Sequence, residues 1–173
     1  MSSYPSQIPD FTKLPTFKAD LAAIGETLHL YSQTLDNYSR AFDTKILDNL
    51  DALFRPDAFL VSEPHEVLTG VGPIKTFISD WSSTLFTTAH KFHIDNVLDY
   101  NPGDVTVAYR GGTAQLPASA TVHSHFEVMK TSKDGKIATY GADATDWLSP
   151  HTDPNTKVIT WQFRGRRMRG GLF

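Results

Sequence analysis

The chain has no cysteine, which excludes a disulfide framework, thiolate catalysis and any cysteine-ligated zinc or iron–sulfur centre. It also has no apolar run of about 18 residues, the length a membrane-spanning helix needs. No basic-then-apolar pattern opens it, so no secretory signal is read there and a cytoplasmic protein is expected. Charge of one sign is scarce: 16 Lys and Arg stand against 19 Asp and Glu, a net charge of −3. That is too little to draw the whole molecule to nucleic acid. Internal repeats and low-complexity segments are missing too. What is there is 173 residues, 40% of them hydrophobic, enough for one domain with a real core and too few for two. Eleven Phe favour a large enclosed apolar interior or pocket.

Pro5, Pro9 and Pro15 forbid one continuous helix over residues 1–17, so an extended leader over 1–19 is expected. From Asp20, Leu21, Ile24, Leu28, Tyr31, Leu35, Tyr38 and Phe42 recur at three- and four-residue steps, the stripe of an amphipathic helix. Asp43 or Thr44 can cap a second helix with Ile46, Leu47, Leu50, Leu53 and Phe54 as its apolar side, stopped by Pro56. Ala58 to Ser62 reads as a short strand. Pro73 suits the first turn of a third helix from Ile74 to near Leu85.

Strands are then expected at His90–Leu98, Val105–Tyr109, Thr121–Lys130 and Ile137–Trp147. Asn101-Pro102-Gly103-Asp104 reads as a turn, Gly111-Gly112 as a bulge or bend, and Asp134-Gly135 as a hairpin turn. The segment 20–148 forms the pocket domain in this reading. Residues 149–173 read as an appendage: Trp161 and Phe163 as the apolar plug of a lid, then Arg164, Arg166, Arg167 and Arg169 among glycines as a mobile basic tail. No recognition helix accompanies that tail, and no nucleic-acid partner is expected. Helices placed before a run of antiparallel strands argue for an α+β fold.

One stretch carries a family signature. In YSRAFDTKILDNLDALFRPDA, Tyr38 to Ala58, a helix ends in Tyr-x-x-Ala-x-Asp, a second ends in Leu-Phe, and Arg55-Pro56-Asp57-Ala58 turns into an apolar strand. This punctuation resembles the nuclear transport factor 2-like superfamily, in its SnoaL-like and scytalone dehydratase-like branch. The resemblance implies a cone: a strongly curved antiparallel sheet packed on three N-terminal helices around one deep pocket. It implies a hydrophobic, oxygenated small molecule as partner, no cofactor, and a homo-oligomer, dimer or trimer.

Within that resemblance, Asp43 and His90, the latter in Thr-Ala-His-Lys-Phe, match the carboxylate and imidazole of the dehydratase type. A carboxylate on one ring nitrogen fixes the tautomer and leaves the other nitrogen for acid–base work. The chain departs from the pattern elsewhere. Gln115 or a neighbour stands where the family has a second catalytic histidine, and Phe42 and Ser62 replace its tyrosine pair. A related pocket with a different reaction is expected, and scytalone is not the expected substrate. SnoaL-like cyclases use an aspartate deep in the last strand, which points to Asp143 or Asp146, with Asp143 taken as the additional catalytic acid. Alternation puts Tyr140, Ala142, Ala144 and Asp146 on one face and Asp143 on the other, without saying which face is concave. Tyr31, Tyr38, Phe42, Trp81, Phe86, Ser124 and Phe126 are the expected pocket wall, with His65 in a loop at its mouth.

A rival set is His123, His125 and Glu127, which share one strand face and are good divalent-metal ligands. Its His-x-His is similar to that of cupins, but the glutamate spacing differs and a second motif is missing. If that face is outward, Ser124 and Phe126 point into the pocket. The preferred expectation is a cofactor-independent lyase, isomerase or cyclase using His90, Asp43 and Asp143. The alternatives are a non-catalytic binding or interaction module and a metal-dependent enzyme.

Overall fold

Pro15 heads a helix rather than a leader. In the computed structural model, which describes residues 15–63, 66–109 and 112–170, α1 (Pro15–Thr44) is 30 residues long. Proline suits this place because its fixed φ is helical and its missing N–H has no helical partner in the first turn. Residues 15–19 of the leader expected over 1–19 are therefore helix, and residues 1–14 lie outside the described residues. Tyr31, Leu35, Tyr38, Ala41 and Phe42 form the buried stripe of α1, as their spacing predicts.

The helix stops where Lys45 takes a left-handed conformation, φ 58°. The Lys45 N–H donates to the Phe42 carbonyl at 3.2 Å, and its Nζ to the Leu85 carbonyl at 2.7 Å. Asp43 therefore sits in the last turn of α1 and does not cap a second helix. That second helix is only a 3-10 turn (Leu47–Asn49) and a single turn, α2 (Leu50–Leu53). Ile46, counted on its apolar side, is 55% exposed, and Phe54 already belongs to β1 (Phe54–Glu63). After β2 (Glu66–Thr69) comes α3 (Val71–Ser83), then β3 (Leu85–Tyr109), β4 (Gly112–Ser132), β5 (Ile137–Thr152) and β6 (Ile159–Gly170).

The strands form one sheet in the order β2-β1-β6-β5-β4-β3. Only β1 and β6 run parallel; the other neighbours are antiparallel. The C-terminal segment is thus no appendage. β6 lies inside the sheet between β1 and β5, Trp161 and Phe163 are buried in the main core, and the Arg-rich run is strand rather than a mobile tail. A bulge explains its unusual sequence. Between the pairs Leu148↔Phe163 and Trp147↔Gly165, β6 carries one extra residue, Arg164. Such an insertion re-aims the side chains that follow. Trp161 and Phe163 face the core before it, and Arg166 and Met168 face the core after it.

Asn101–Asp104 is likewise not a turn. The register moves from Tyr100↔Ala120 to Gly103↔Ala118 within a continuous β3, so the sequence signal marks a bulge. With further shifts at Ile94/Asn96 and Val97/Asp99, the β3–β4 hairpin bends round. Its far end supplies Val107, Leu116 and Ala118 to a second apolar cluster with Phe59, Val61 and Trp147. Gly165 permits this packing: a Cβ there would meet the Phe59 ring at 2.4 Å. The main core fills the space between the other face of the sheet and α1 and α3.

Candidate active site

The end of α1 and the start of β3 bring Asp43 and His90 together. The His90 Nδ1 lies 2.7 Å from Asp43 Oδ1. Thr88 Oγ1 donates to the same oxygen at 2.7 Å, and the His90 backbone N–H donates to Oδ2 at 3.2 Å. Burial alone would push the Asp43 carboxyl up. Hydrogen bonds from the His90 ring and Thr88, with the charge and N–H of His90, outweigh it and hold the carboxyl below its ordinary value. An ionised Asp43 accepts the Nδ1 proton, which leaves Nε2 for other chemistry. The ring is only 4% exposed and packs against Phe42 at 5.1 Å and Phe92 at 6.2 Å between centroids.

His90 lines an apolar cavity with Tyr38, Phe42, Phe77, Trp81, Phe126 and Met168. Its volume is about 10 Å³, room for roughly one water. Phe77 and Trp81 also form part of an open groove of about 830 Å³ along α3, beside Leu68 and Pro73. Phe77 and Trp81 thus border both the small cavity and the larger open groove.

Behind the aromatic layer lies a polar cluster that sequence reasoning did not assemble. Asp146 and Arg166 are direct cross-strand partners, both fully buried, with Nη1 3.2 Å from Oδ2. The Tyr31 hydroxyl donates to the same Oδ2 at 2.5 Å, and Ser124 Oγ is 3.1 Å from that phenol oxygen. The guanidinium lies over the Tyr38 ring at 4.6 Å, with Phe163, Phe92 and Phe126 at 5.3, 5.4 and 5.6 Å. Those rings stabilise its charge. Burial pushes the Asp146 carboxyl up, against the pull of Arg166, Tyr31 and His123. Burial also raises the Tyr38 phenol to about 12, against the pull of Arg166.

Other expected residues fall elsewhere. Asp143 is on the outer face, where its Oδ1 is 3.0 Å from His125 Nδ1, with the two side chains 58% and 40% exposed. It cannot share a cavity with His90, because β5 turns Ala142, Ala144 and Asp146 inward. Phe86 is 72% exposed and is not pocket wall. His123, His125 and Glu127 alternate with the buried Val122, Ser124, Phe126 and Val128, and among the described residues no three His, Asp or Glu side chains converge on a metal-sized site. Gln115 is exposed near the hairpin end, paired with Thr106, and plays no part in the cavity. His65 lies outside the described residues.

Of the expected wall, Tyr38, Phe42, Trp81 and Phe126 line the cavity, and Tyr31 and Ser124 belong to the polar cluster. Arg166 was missed because four Arg among glycines read as solvated. The apolar residues on either side of it, Phe163 and Met168, were the available signal that the run is a buried strand.

No family model matches the chain, and no curated protein does. Solved structures match in fold. A protein of Novosphingobium aromaticivorans DSM 12444, provisionally described as a scytalone dehydratase, is 16% identical with a TM-score of 0.63, covering 84% of this chain and 85% of that one. A ketosteroid isomerase-like protein of Erwinia carotovora atroseptica is 15% identical with a TM-score of 0.55, covering 84% and 96%. An NTF2-like protein of Exiguobacterium sp. 255-15 is 17% identical with a TM-score of 0.50, covering 81% and 99%. At such identities the likeness speaks for architecture alone. Together with the curved, mostly antiparallel sheet closed by helices, it gives this chain the nuclear transport factor 2-like fold.

Proposed function

We propose that this chain is a cofactor-independent lyase, isomerase or cyclase acting on a hydrophobic, oxygenated small molecule, polyketide- or terpenoid-like, of secondary metabolism. The observation that carries the reading is the 2.7 Å contact between His90 and Asp43 beside an aromatic-lined cavity. His90 Nε2 takes a proton from a carbon next to a carbonyl and returns it to a leaving hydroxyl or to another carbon. Asp43 holds the ring in the required tautomer and stabilises the imidazolium that forms. Dry aromatic walls strengthen these electrostatics. Substrate enters from the groove along α3 as Phe77 and Trp81 turn aside. Asp143 has no place in this mechanism.

The test is a screen of aromatic β-hydroxy ketones and enolisable ketones, each assayed with wild type and His90→Ala. Turnover by wild type that falls about 100-fold or more in the variant, the usual worth of a general base, supports the reading. Turnover that survives the substitution refutes it.

A second reading, a non-catalytic binding module of the same fold, draws on the smallness of the cavity. It predicts ligand binding without turnover. In either case, copies of the chain are proposed to associate through the outer face of the sheet, where Phe86, Met129 and Ile137 are exposed. Light scattering of the purified protein would show a dimer or trimer, and a monomer at all concentrations would refute association.

A further inference from the structure

Among the described residues, the non-glycine residues with a left-handed backbone are Lys45, φ 58°, and Lys157, φ 60°. That conformation is unfavourable for L-residues, and glycine is the usual residue for it at a helix end. Lys157 sits in the exposed turn between β5 and β6, where its N–H donates to the Asp153 carbonyl at 3.0 Å. Lys45 stands at the end of α1, just past Asp43. A glycine there would end the helix as well, but it would have no side chain. Lys45 uses its own: Nζ donates to the Leu85 carbonyl at 2.7 Å, across a separation of 40 residues.

The place it reaches is the start of β3, which is an outer strand of the sheet. Along one side of such a strand the backbone groups have no strand neighbour and need another partner. Here the last turn of α1 supplies it. Lys45 Nζ covers the Leu85 carbonyl, and Asp43 Oδ2 accepts from the His90 N–H at 3.2 Å. In a regular strand Leu85 and His90 would direct their backbone groups to opposite edges. The register shift between Leu85 and Thr87 corrects the phase, so both groups turn to the helix. The Lys45 N–H also closes on the Phe42 carbonyl at 3.2 Å, and the Phe42 ring packs on His90 at 5.1 Å between centroids.

We infer that Lys45 is a positioning residue: by tying the end of α1 to the open edge of β3, it holds the Asp43 carboxylate against the His90 ring. The unfavourable backbone is kept because the residue that would relieve it cannot make the tie. This rests on His90 and Asp43 being the acid–base pair, as proposed above, but its test needs no turnover.

The test is nitrogen-15 NMR of the His90 ring, with urea unfolding alongside, for wild type, Lys45→Arg, Lys45→Met and Lys45→Gly. In wild type the neutral ring is expected as the Nδ1–H tautomer alone, fixed by its bond to Asp43. Lys45→Arg keeps the charge and a donor of similar reach and should preserve that signature. Lys45→Met and Lys45→Gly should both lose it, with the Nε2–H tautomer appearing beside it. Their stabilities should differ. Lys45→Met loses the bond and keeps the strained backbone, so its urea midpoint falls. In Lys45→Gly the relieved backbone offsets the lost bond, so its midpoint stays near that of wild type.

A loosened dyad in a fully stable Lys45→Gly variant is the result that a purely structural role would not give. A single Nδ1–H tautomer retained in Lys45→Met and Lys45→Gly would overturn the inference. So would a Lys45→Gly midpoint that falls as far as that of Lys45→Met, or loss of the signature in Lys45→Arg. Ketone turnover that needs His90, with a tautomer indifferent to Lys45, sinks this inference alone. A tautomer that depends on Lys45 in a protein that turns over no ketone sinks the catalytic reading alone.

Discussion

The two faces of this sheet each carry a His–Asp pair, and the pairs are chemically the same. Inside, His90 and Asp43 meet at 2.7 Å, with the imidazole 4% exposed. Outside, His125 and Asp143 meet at 3.0 Å, with the imidazole 40% and the carboxylate 58% exposed. The inner carboxylate accepts three hydrogen bonds from two residues and is fixed by the end of α1. The outer pair is held only by strand register and is bathed in solvent, where such contacts contribute little. Residue type and spacing nominate a dyad; burial and supporting hydrogen bonds decide whether it is preorganised.

The largest contrast should come from the aspartates of β5. Asp146→Ala leaves Arg166 buried without its counter-ion and should destabilise the fold by about 3–5 kcal/mol, whereas Asp143→Ala should cost about 1 kcal/mol or less. Urea unfolding of the two variants measures this directly. Comparable losses would mean that the Asp146–Arg166 pair is solvated rather than dry. Next, Asp43→Asn should lower turnover of any substrate found by roughly tenfold or more, since the amide cannot stabilise the imidazolium. Asp143→Asn should leave the rate within about twofold.

A smaller effect is expected at Thr88. Thr88→Val keeps the shape but removes one donor to Asp43, and should cost about 1 kcal/mol while raising the Asp43 pKa, readable by carboxyl carbon NMR. The subtlest effect concerns pH. The folded-state carboxyl of Asp43 lies below its ordinary value, so its contribution to stability is fully present above the unfolded value of about 3.9. That contribution falls away as pH drops through the lower folded value. The stability gap between wild type and Asp43→Asn should therefore narrow below about pH 4 in denaturant titrations. A gap that stays constant down to pH 2 would show that the carboxylate is not specially stabilised.

Much of the inner face was legible in the sequence. The α1 stripe is a plain helical period, and the family resemblance carried by the Tyr-x-x-Ala-x-Asp ending and Thr-Ala-His implies the pairing of Asp43 with His90. The choice between Asp143 and Asp146 was not legible, because alternation sorts residues into two faces without saying which is concave. Their neighbours settle it: Ala142 and Ala144 are buried in the main core, and Ala142 is the cross-strand partner of Phe126. β6 stayed hidden for a different reason. Its inward face changes phase at the Arg164 bulge, so neither the apolar residues nor the arginines keep a period of two. Asn101–Asp104 misled similarly, since the residues that favour a tight turn also favour a bulge within a long strand.

The most direct test is deuterium incorporation from D₂O into an enolisable aromatic ketone such as 2-acetylnaphthalene, followed by proton NMR for wild type, His90→Ala and His125→Ala. Wild type and His125→Ala should catalyse exchange at matching rates, and His90→Ala should be slower by about 100-fold or more. Exchange that is unaffected by losing His90, or that depends equally on His125, would contradict the role given to His90.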